Sequence, residues 1–337
     1  MLLWIAAAGT LLLSAALLLG LYAVLVEPYR PVLRRLVVQV PANWPRLSIL
    51  HLSDLHVRAD ADRLHRAQEQ FLRSLTGTPD LVCVTGDVCE HLVAAPRAVA
   101  LLGLVRSRLG TLVVLGNHEH HAPIPAGLRR PNRRAWGRLA RLASRLLGAR
   151  VTSSGSDEAR AIGVALGASG LRVLTNEGVR LEIDGRRLWV AGTDSEWAGR
   201  ARAAAALAGR EDGEPCLGLV HEPESALPLI ARGADLALAG HLHGGQVRLP
   251  LVGAPHTYRA DARIRVAAGV QRLGRAVLYI SAGLGHTTPL RFGCRPEATW
   301  IECLPASPAS PPSHLAETPV GVLPPNRRAL SPAPAKP

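Results

Sequence analysis

The stretch Gly240-His241-Leu242-His243-Gly244-Gly245-Gln246 follows directly on the apolar run Leu236–Ala239. Reading back toward the N-terminus, the arrangement recurs. His221 follows Cys216–Val220, and Gly116-Asn117-His118-Glu119 follows Thr111–Leu115. Gly86-Asp87 follows Leu81–Thr85, and Ser53-Asp54-Leu55-His56 follows Ser48–Leu52. In extended chain, residues two apart face the same way, so Asp54 and His56, just past the strand pattern Ser48–Leu52, can point at one ion. A lone H-x-H or D-x-H is commonplace, and a Gly-Asp after a strand is ordinarily a turn or a helix cap. Five such clusters, each at the end of a buried-strand pattern, are not explained by turns alone. Aspartate, asparagine and histidine together suit divalent ions such as Mn²⁺, Fe²⁺ or Zn²⁺. The clusters offer too many donors for one ion and suit two ions that share a bridge.

Between the clusters the pattern alternates. Helical periodicity over Ala61–Leu75 and Ala94–Leu109 separates the early strands, and further strands are expected at Arg187–Ala191 and Ala276–Ser281. Strand and helix in turn, with strands buried enough to be continuously apolar, predict an α/β fold. The composition agrees. With 337 residues, 48% hydrophobic, 19% charged and 32 glycines, the chain is neither a coiled coil, a collagen nor a wholly disordered polymer. Cys83, Cys89, Cys216, Cys294 and Cys303 are scattered without a C-x-x-C pair, which argues against a disulfide framework or a zinc knot. Cys83 lies in an apolar run and reads as core.

The net charge of +13 invites nucleic acid, an anionic membrane or a phosphorylated substrate as partner. Lys336 is the only lysine among 39 basic residues, a skew that reads as codon bias more than as a selected surface. Nucleic acid is therefore not the expected partner. Leu2 to Val26 carries no charge over 25 positions, long enough to span a bilayer as a helix. It lacks the basic n-region of a cleaved signal peptide, so a retained single-pass anchor is expected. Arg30, Arg34, Arg35 and Arg46 follow the span, and the positive-inside rule then places the bulk of the chain in the cytoplasm, on an inner membrane. The expected organisation is an anchor over 1–27, a juxtamembrane linker over 28–45, an enzyme domain over 46–304 and a disordered tail over 305–337. The tail carries ten prolines and no apolar period.

Taken together, D-x-H, G-D, G-N-H-E, H and G-H-x-H resemble the calcineurin-like metallophosphoesterases over about Arg46 to Leu304. Within that superfamily the chain is most similar to a membrane-anchored branch. The apolar span followed by Glu27-Pro28-Tyr29, the segment Gly240 to Pro250, Gly283-Leu284-Gly285, Pro289 to Phe292 and Arg295-Pro296-Glu297 carry that likeness. Some of that branch resemble UDP-2,3-diacylglucosamine hydrolases of lipid A synthesis. The resemblance implies a four-layer α/β/β/α sandwich behind an N-terminal transmembrane helix. It also implies two divalent ions, one held by Asp54, His56, Asp87 and His243, the other by Asp87, Asn117, His221 and His241, with Asp87 bridging. Such a pair activates water and neutralises phosphate oxygens. Leu242 stands where Thr is frequent and Glu119 where Asp is frequent; neither is an implied ligand. His118, beside Asn117 but assigned to neither ion, is the candidate general acid.

The expected activity is hydrolysis of a phosphate ester or pyrophosphate, with a lipid-linked nucleotide such as UDP-2,3-diacylglucosamine as the sharpest substrate. A broad phosphodiesterase acting on phospholipid or envelope components, and a catalytically inactive lipid-binding scaffold, stay open. His51 reads as a strand position, His120 and His121 as loop residues near the mouth of the site, and His286 as a pocket-lining residue. An insertion over about 120–156 is longer than in the branch it resembles. In it, Arg129 to Arg150 holds eight arginines and no acid. Trp136, Leu139, Leu142, Ala143, Leu146 and Leu147 share one helical side, and Arg134, Arg138, Arg141 and Arg145 the other. That is the pattern of an interfacial membrane helix, or of a surface helix with a solvated basic face.

Overall fold

The computed structural model describes residues 1–121, 156–255 and 261–306. The basic helix expected over Arg129–Arg150 and the proline-rich tail from 307 onward lie outside the described residues. The first half of the chain forms α1 (Leu2–Leu25), β1 (Val32–Val40), β2 (Leu47–Leu52), α2 (Asp62–Ser74), β3 (Leu81–Thr85), α3 (Ala95–Leu102) and β4 (Thr111–Val114). Next come α4 (Ser156–Ala168), β5 (Arg172–Val173), β6 (Glu177–Ile183), β7 (Arg186–Gly192), α5 (Ala203–Ala206) and β8 (Cys216–Leu219). The remainder is α6 (Ala226–Ile230), β9 (Leu236–Ala239), β10 (Gly269–Leu273), β11 (Ala276–Ile280) and β12 (Glu297–Pro305).

The strands form two mixed six-stranded sheets, ordered β1-β12-β2-β3-β4-β5 and β10-β11-β9-β8-β7-β6. Alternation along each strand explains the layers. In β3, Leu81 and Cys83 enter a core shared with Leu217 and Leu219 of β8 and Leu236 and Leu238 of β9, so the sheets face each other. Val82 and Val84 point the other way, onto Leu72 of α2, Ala98 and Leu101 of α3, and Ile162 and Leu166 of α4. On the far sheet, Ala237 and Ala239 turn outward against Ala206 of α5 and Leu229 of α6. Burial on both faces is why these strands read as unbroken apolar runs. The result is the expected α/β/β/α sandwich.

Two expectations are corrected. Residues 28–45 are not a free linker, because β1 lies within them and pairs in parallel with β12 from Val32↔Glu297 to Val40↔Pro305. Leu36, Val38 and Val40 enter the inter-sheet core, while Arg34 pairs with the buried carboxylate of Glu297. The helix expected over Ala94–Leu109 stops at Leu102, and Gly103 caps it. Arg108 and Leu109 then donate their N–H groups to the carbonyls of Pro79 and Asp80, which turns the chain into β4.

Helix α1 is the one helix among the described residues long and apolar enough to cross a membrane, with a mean hydropathy of 2.3 and 6% of its apolar window buried. Its exit is tied to the sandwich. The N–H of Arg291 donates to Ala23 O at 2.9 Å, and that of Cys294 to Glu27 Oε1 at 2.6 Å. The Tyr29 ring meets His286 edge-on at 5.4 Å, and the Arg63 guanidinium lies 4.1 Å over Tyr29.

Candidate metal centre

The β2–β3 ladder continues past both strand ends. Asp54 N–H donates to Gly86 O, His56 N–H to Asp87 O and Val57 N–H to Val88 O, all within 2.8–3.0 Å. Asp54, His56 and Asp87 are thereby set side by side at the C-terminal edge of the first sheet. Their backbones are left-handed, at φ 52°, 47° and 50°, and His241 and His243 are too, at 70° and 49°. Non-glycine residues adopt that region rarely and at a cost, and such outliers concentrate at functional sites. The surrounding ladder is what holds them there.

Glu119 ties the first-sheet loops together. Its buried carboxylate accepts N–H groups from Asp87, Val88, Cys89 and Gly116 at 2.5–3.1 Å. Burial and the nearby Asp87 charge push its carboxyl up to about 7 against those donors. The second sheet supplies His221 after β8 and His241 and His243 after β9. Close approach of the two sheet edges depends on Gly240, where a Cβ would collide with Ser53 Oγ and Asp54 Oδ2. The vacant side lets Asp54 accept the His241 N–H at 3.0 Å.

All seven residues expected as ligands converge. Asp54, His56, Asp87 and His243 present donor atoms that lie within 4.8 Å of one another, and Asp87, His221 and His241 do the same. Asn117 Oδ1 lies 3.2 Å from His221 Nε2, which places the amide in the second group. Asp87 belongs to both groups. Its Oδ2 is 3.6 Å from His56 Nε2 and 3.2 Å from His221 Nε2.

The side chains fit cations better than they fit one another. His56 Nε2 faces His243 Nε2 at 3.0 Å, a pair of ring nitrogens that a proton or a cation must bridge. Among the described residues, the buried His241 Nε2 has no hydrogen-bond partner. Burial lowers His241 and His243 well below the ordinary histidine range, with His221 adding to this at His241 and His56 at His243. A neutral imidazole with a free lone pair is the form that binds metal. For His221, burial opposes protonation, but Asp87 and Asp54 outweigh it and raise the ring. These clusters could hold divalent ions.

His118 sits at the rim, about a third exposed, with Nε2 3.9 Å from Asp87 Oδ2. Burial opposes its charge, yet Asp87 and Glu90 together push it up to about 10. Of the other histidines, His51 lies within β2 as expected, with Nε2 2.8 Å from Thr85 Oγ1. His120 is buried against Asp194 at 2.6 Å, and His286 is buried against Tyr29.

Three neighbours are not among the expected site residues. Glu90 reaches His56 Nδ1 at 2.7 Å and His118 Nδ1 at 2.9 Å. Trp197 meets the His241 ring edge-on at 4.1 Å. The fully buried Arg291 lies 3.4 Å from His243 Nδ1 while donating to the carbonyls of Ala282 and Gly285. None of them is an expected ligand; Glu90 lies three residues past Asp87, whereas folding brings Trp197 and Arg291 in from other segments.

Comparison with known proteins agrees with this geometry. The family model for calcineurin-like phosphoesterase matches residues 47–245, which include all seven residues expected as ligands and His118. The phosphodiesterase YaeI of Escherichia coli (strain K12) is 36% identical over 148 residues, 44% of this chain and 53% of that protein. The uncharacterized metallophosphoesterase YkuE of Bacillus subtilis (strain 168) is 27% identical over 265 residues, 77% of this chain and 80% of its own. The UDP-2,3-diacylglucosamine pyrophosphatase LpxG of Chlamydia trachomatis is 24% identical over 330 residues, 89% of this chain and 97% of that one. The match thus spans about half the length of the Escherichia coli relative and nearly all of the chlamydial one. With its metal-capable clusters at the strand ends of an α/β/β/α sandwich, the chain belongs to the calcineurin-like phosphoesterases.

Proposed function

We propose that this phosphoesterase is a membrane-anchored, dinuclear enzyme that hydrolyses a phosphodiester or pyrophosphate bond in a bilayer-resident substrate. A lipid-linked nucleotide of the UDP-2,3-diacylglucosamine kind is the substrate class. The observation that carries the reading is the joint between span and site: Arg291 touches His243 through its side chain and the end of α1 through its backbone. In this proposal, an active-site loop resting on the end of a membrane span would hold the reacting phosphate close to the headgroup plane. The nearly full-length likeness to the chlamydial pyrophosphatase supports the same substrate class.

In this reading Asp54, His56, Asp87 and His243 hold one ion, and Asp87, Asn117, His221 and His241 the other, with Mn²⁺, Fe²⁺ or Zn²⁺ as candidates. When bound, the ions supply positive charge that neutralises phosphate oxygens and acidifies water. The protein's own residues do the rest. Asp87 keeps the two groups in register. Glu90 engages the Nδ1 atoms of both His56 and His118, which turns their Nε2 atoms toward the centre. His118 Nε2–H is then the proton available to the leaving oxygen.

The arginines at 30, 34, 35 and 46 support a cytoplasmic position for the sandwich in this proposal. All five native cysteines are buried, so a single engineered surface cysteine reports the side directly. Labelling only from outside the cell would reverse the orientation. The name of the Escherichia coli relative favours a second reading, a phosphodiesterase of broader scope. Detergent-solubilised protein with Mn²⁺ separates the two when offered a chromogenic diester, phospholipid, RNA and UDP-2,3-diacylglucosamine. Release of UMP is expected from the last. Turnover of phospholipid or RNA, with no UMP release, would overturn the substrate assignment.

A further inference from the structure

Away from the centre, three more donors converge. Glu158 Oε2 lies 2.9 Å from His121 Nε2, and Glu158 Oε1 lies 3.5 Å from His91 Nδ1. All three donor atoms lie within 4.8 Å of one another, and none of the three residues belongs to either group of the centre. The two imidazole rings stack at 5.0 Å with 27° between their planes, so both rings meet the carboxylate from one side. Leu92 N–H donates to Glu158 Oε1 at 2.9 Å and orients the carboxylate. A buried hydrogen-bonded pair would need only His121 and Glu158; the second ring has no part in it.

From these residues we infer a third metal site, of the His-His-Glu type, that takes Zn²⁺ or a similar borderline divalent ion. Two imidazoles and one carboxylate are a donor set such ions accept. With metal–ligand bonds of about 2.0–2.2 Å, donors in a tetrahedral shell sit about 3.3–3.6 Å apart. The observed 2.9 and 3.5 Å, one to each carboxylate oxygen, lie within tenths of an ångström of that spacing. The His91 side chain is 48% exposed, which gives an ion access from solvent and leaves a coordination position for water.

The site joins three separate segments: the loop after β3, the loop after β4 and the first turn of α4. His121 immediately precedes residues 122–155 and Glu158 follows them closely. An ion here would fix the residues on either side of that stretch to each other and to His91.

The test uses the full-length protein in detergent micelles, equilibrated by dialysis at micromolar free Zn²⁺ and compared with His91→Asn and Glu158→Gln. Each variant should bind one Zn²⁺ fewer per chain than the parent while keeping its hydrolysis of a chromogenic diester. The rise in Tm that Zn²⁺ gives the parent should shrink in both. Equal zinc content in all three proteins would overturn the site. So would loss of every bound ion from His91→Asn, because that would make His91 part of the centre.

Discussion

His118 Nδ1 lies 2.9 Å from Oε2 of Glu90, a carboxylate whose other oxygen lies 2.7 Å from Nδ1 of His56. One side chain thus orients both the candidate acid and a candidate ligand. Glu90→Gln keeps the shape and halves the acceptor capacity. It should lower kcat or metal affinity about 10- to 100-fold, as carboxylates behind metal-bound histidines do. Kinetics as a function of added Mn²⁺ would separate the two effects, and an unchanged variant would remove Glu90 from the account.

His118→Asn separates proton transfer from metal binding. Turnover of a substrate with a poor leaving group should fall about 10²- to 10⁴-fold, the usual worth of a positioned acid. An activated leaving group such as nitrophenolate should suffer much less, and metal content should stay at the parent's level. Loss of metal would instead give His118 a structural role.

Gly240→Ala tests the approach of the two sheets. The new Cβ has no room beside Ser53 Oγ and Asp54 Oδ2, so it must displace the aspartate or open the sheet edges. Metal affinity should drop at least as far as in Glu90→Gln, together with a lower Tm. Retention of both would mean that the edges are looser than described.

Acid stability carries the mark of His51. It is fully buried between Thr85 and Tyr279, and burial holds its pKa at about 3. The unfolded chain binds this proton near pH 6.5 and the folded chain does not, so the stabilisation is complete above pH 6.5 and declines as pH falls toward 3. At pH 5 the loss is about 2 kcal/mol relative to pH 8. Urea unfolding of the parent and of His51→Gln at both pH values should show a smaller acid loss in the variant by about that amount. Parallel losses would contradict it.

How much of this was legible in sequence follows from where each signal resides. β3 and β9 coincide with the apolar runs because burial on both faces leaves an unbroken pattern. The candidate ligands sit at strand ends, where short motifs record them. β1 escaped because Arg34 and Arg35 interrupt its run. Their cost is met by Glu297 and Trp300, about 260 residues away, which no local pattern displays. The β6–β7 hairpin turns on Asp184-Gly185, both left-handed, a two-residue signal that marks a hairpin once the flanking strands are known. Glu90 reaches His56 only because the ladder runs on to the Val57–Cys89 bridge, which is a tertiary fact.

The central claim is that Asp87 joins two metal groups into one catalytic centre. It is tested most directly by measuring bound divalent metal and Mn²⁺-dependent diester hydrolysis on the same preparations of parent and Asp87→Asn. The account predicts that the variant loses at least one ion per chain and that hydrolysis falls more than about 100-fold, as expected when charge stabilisation at the reacting phosphate is removed. An Asp87→Asn protein with the parent's metal content and rate would contradict it.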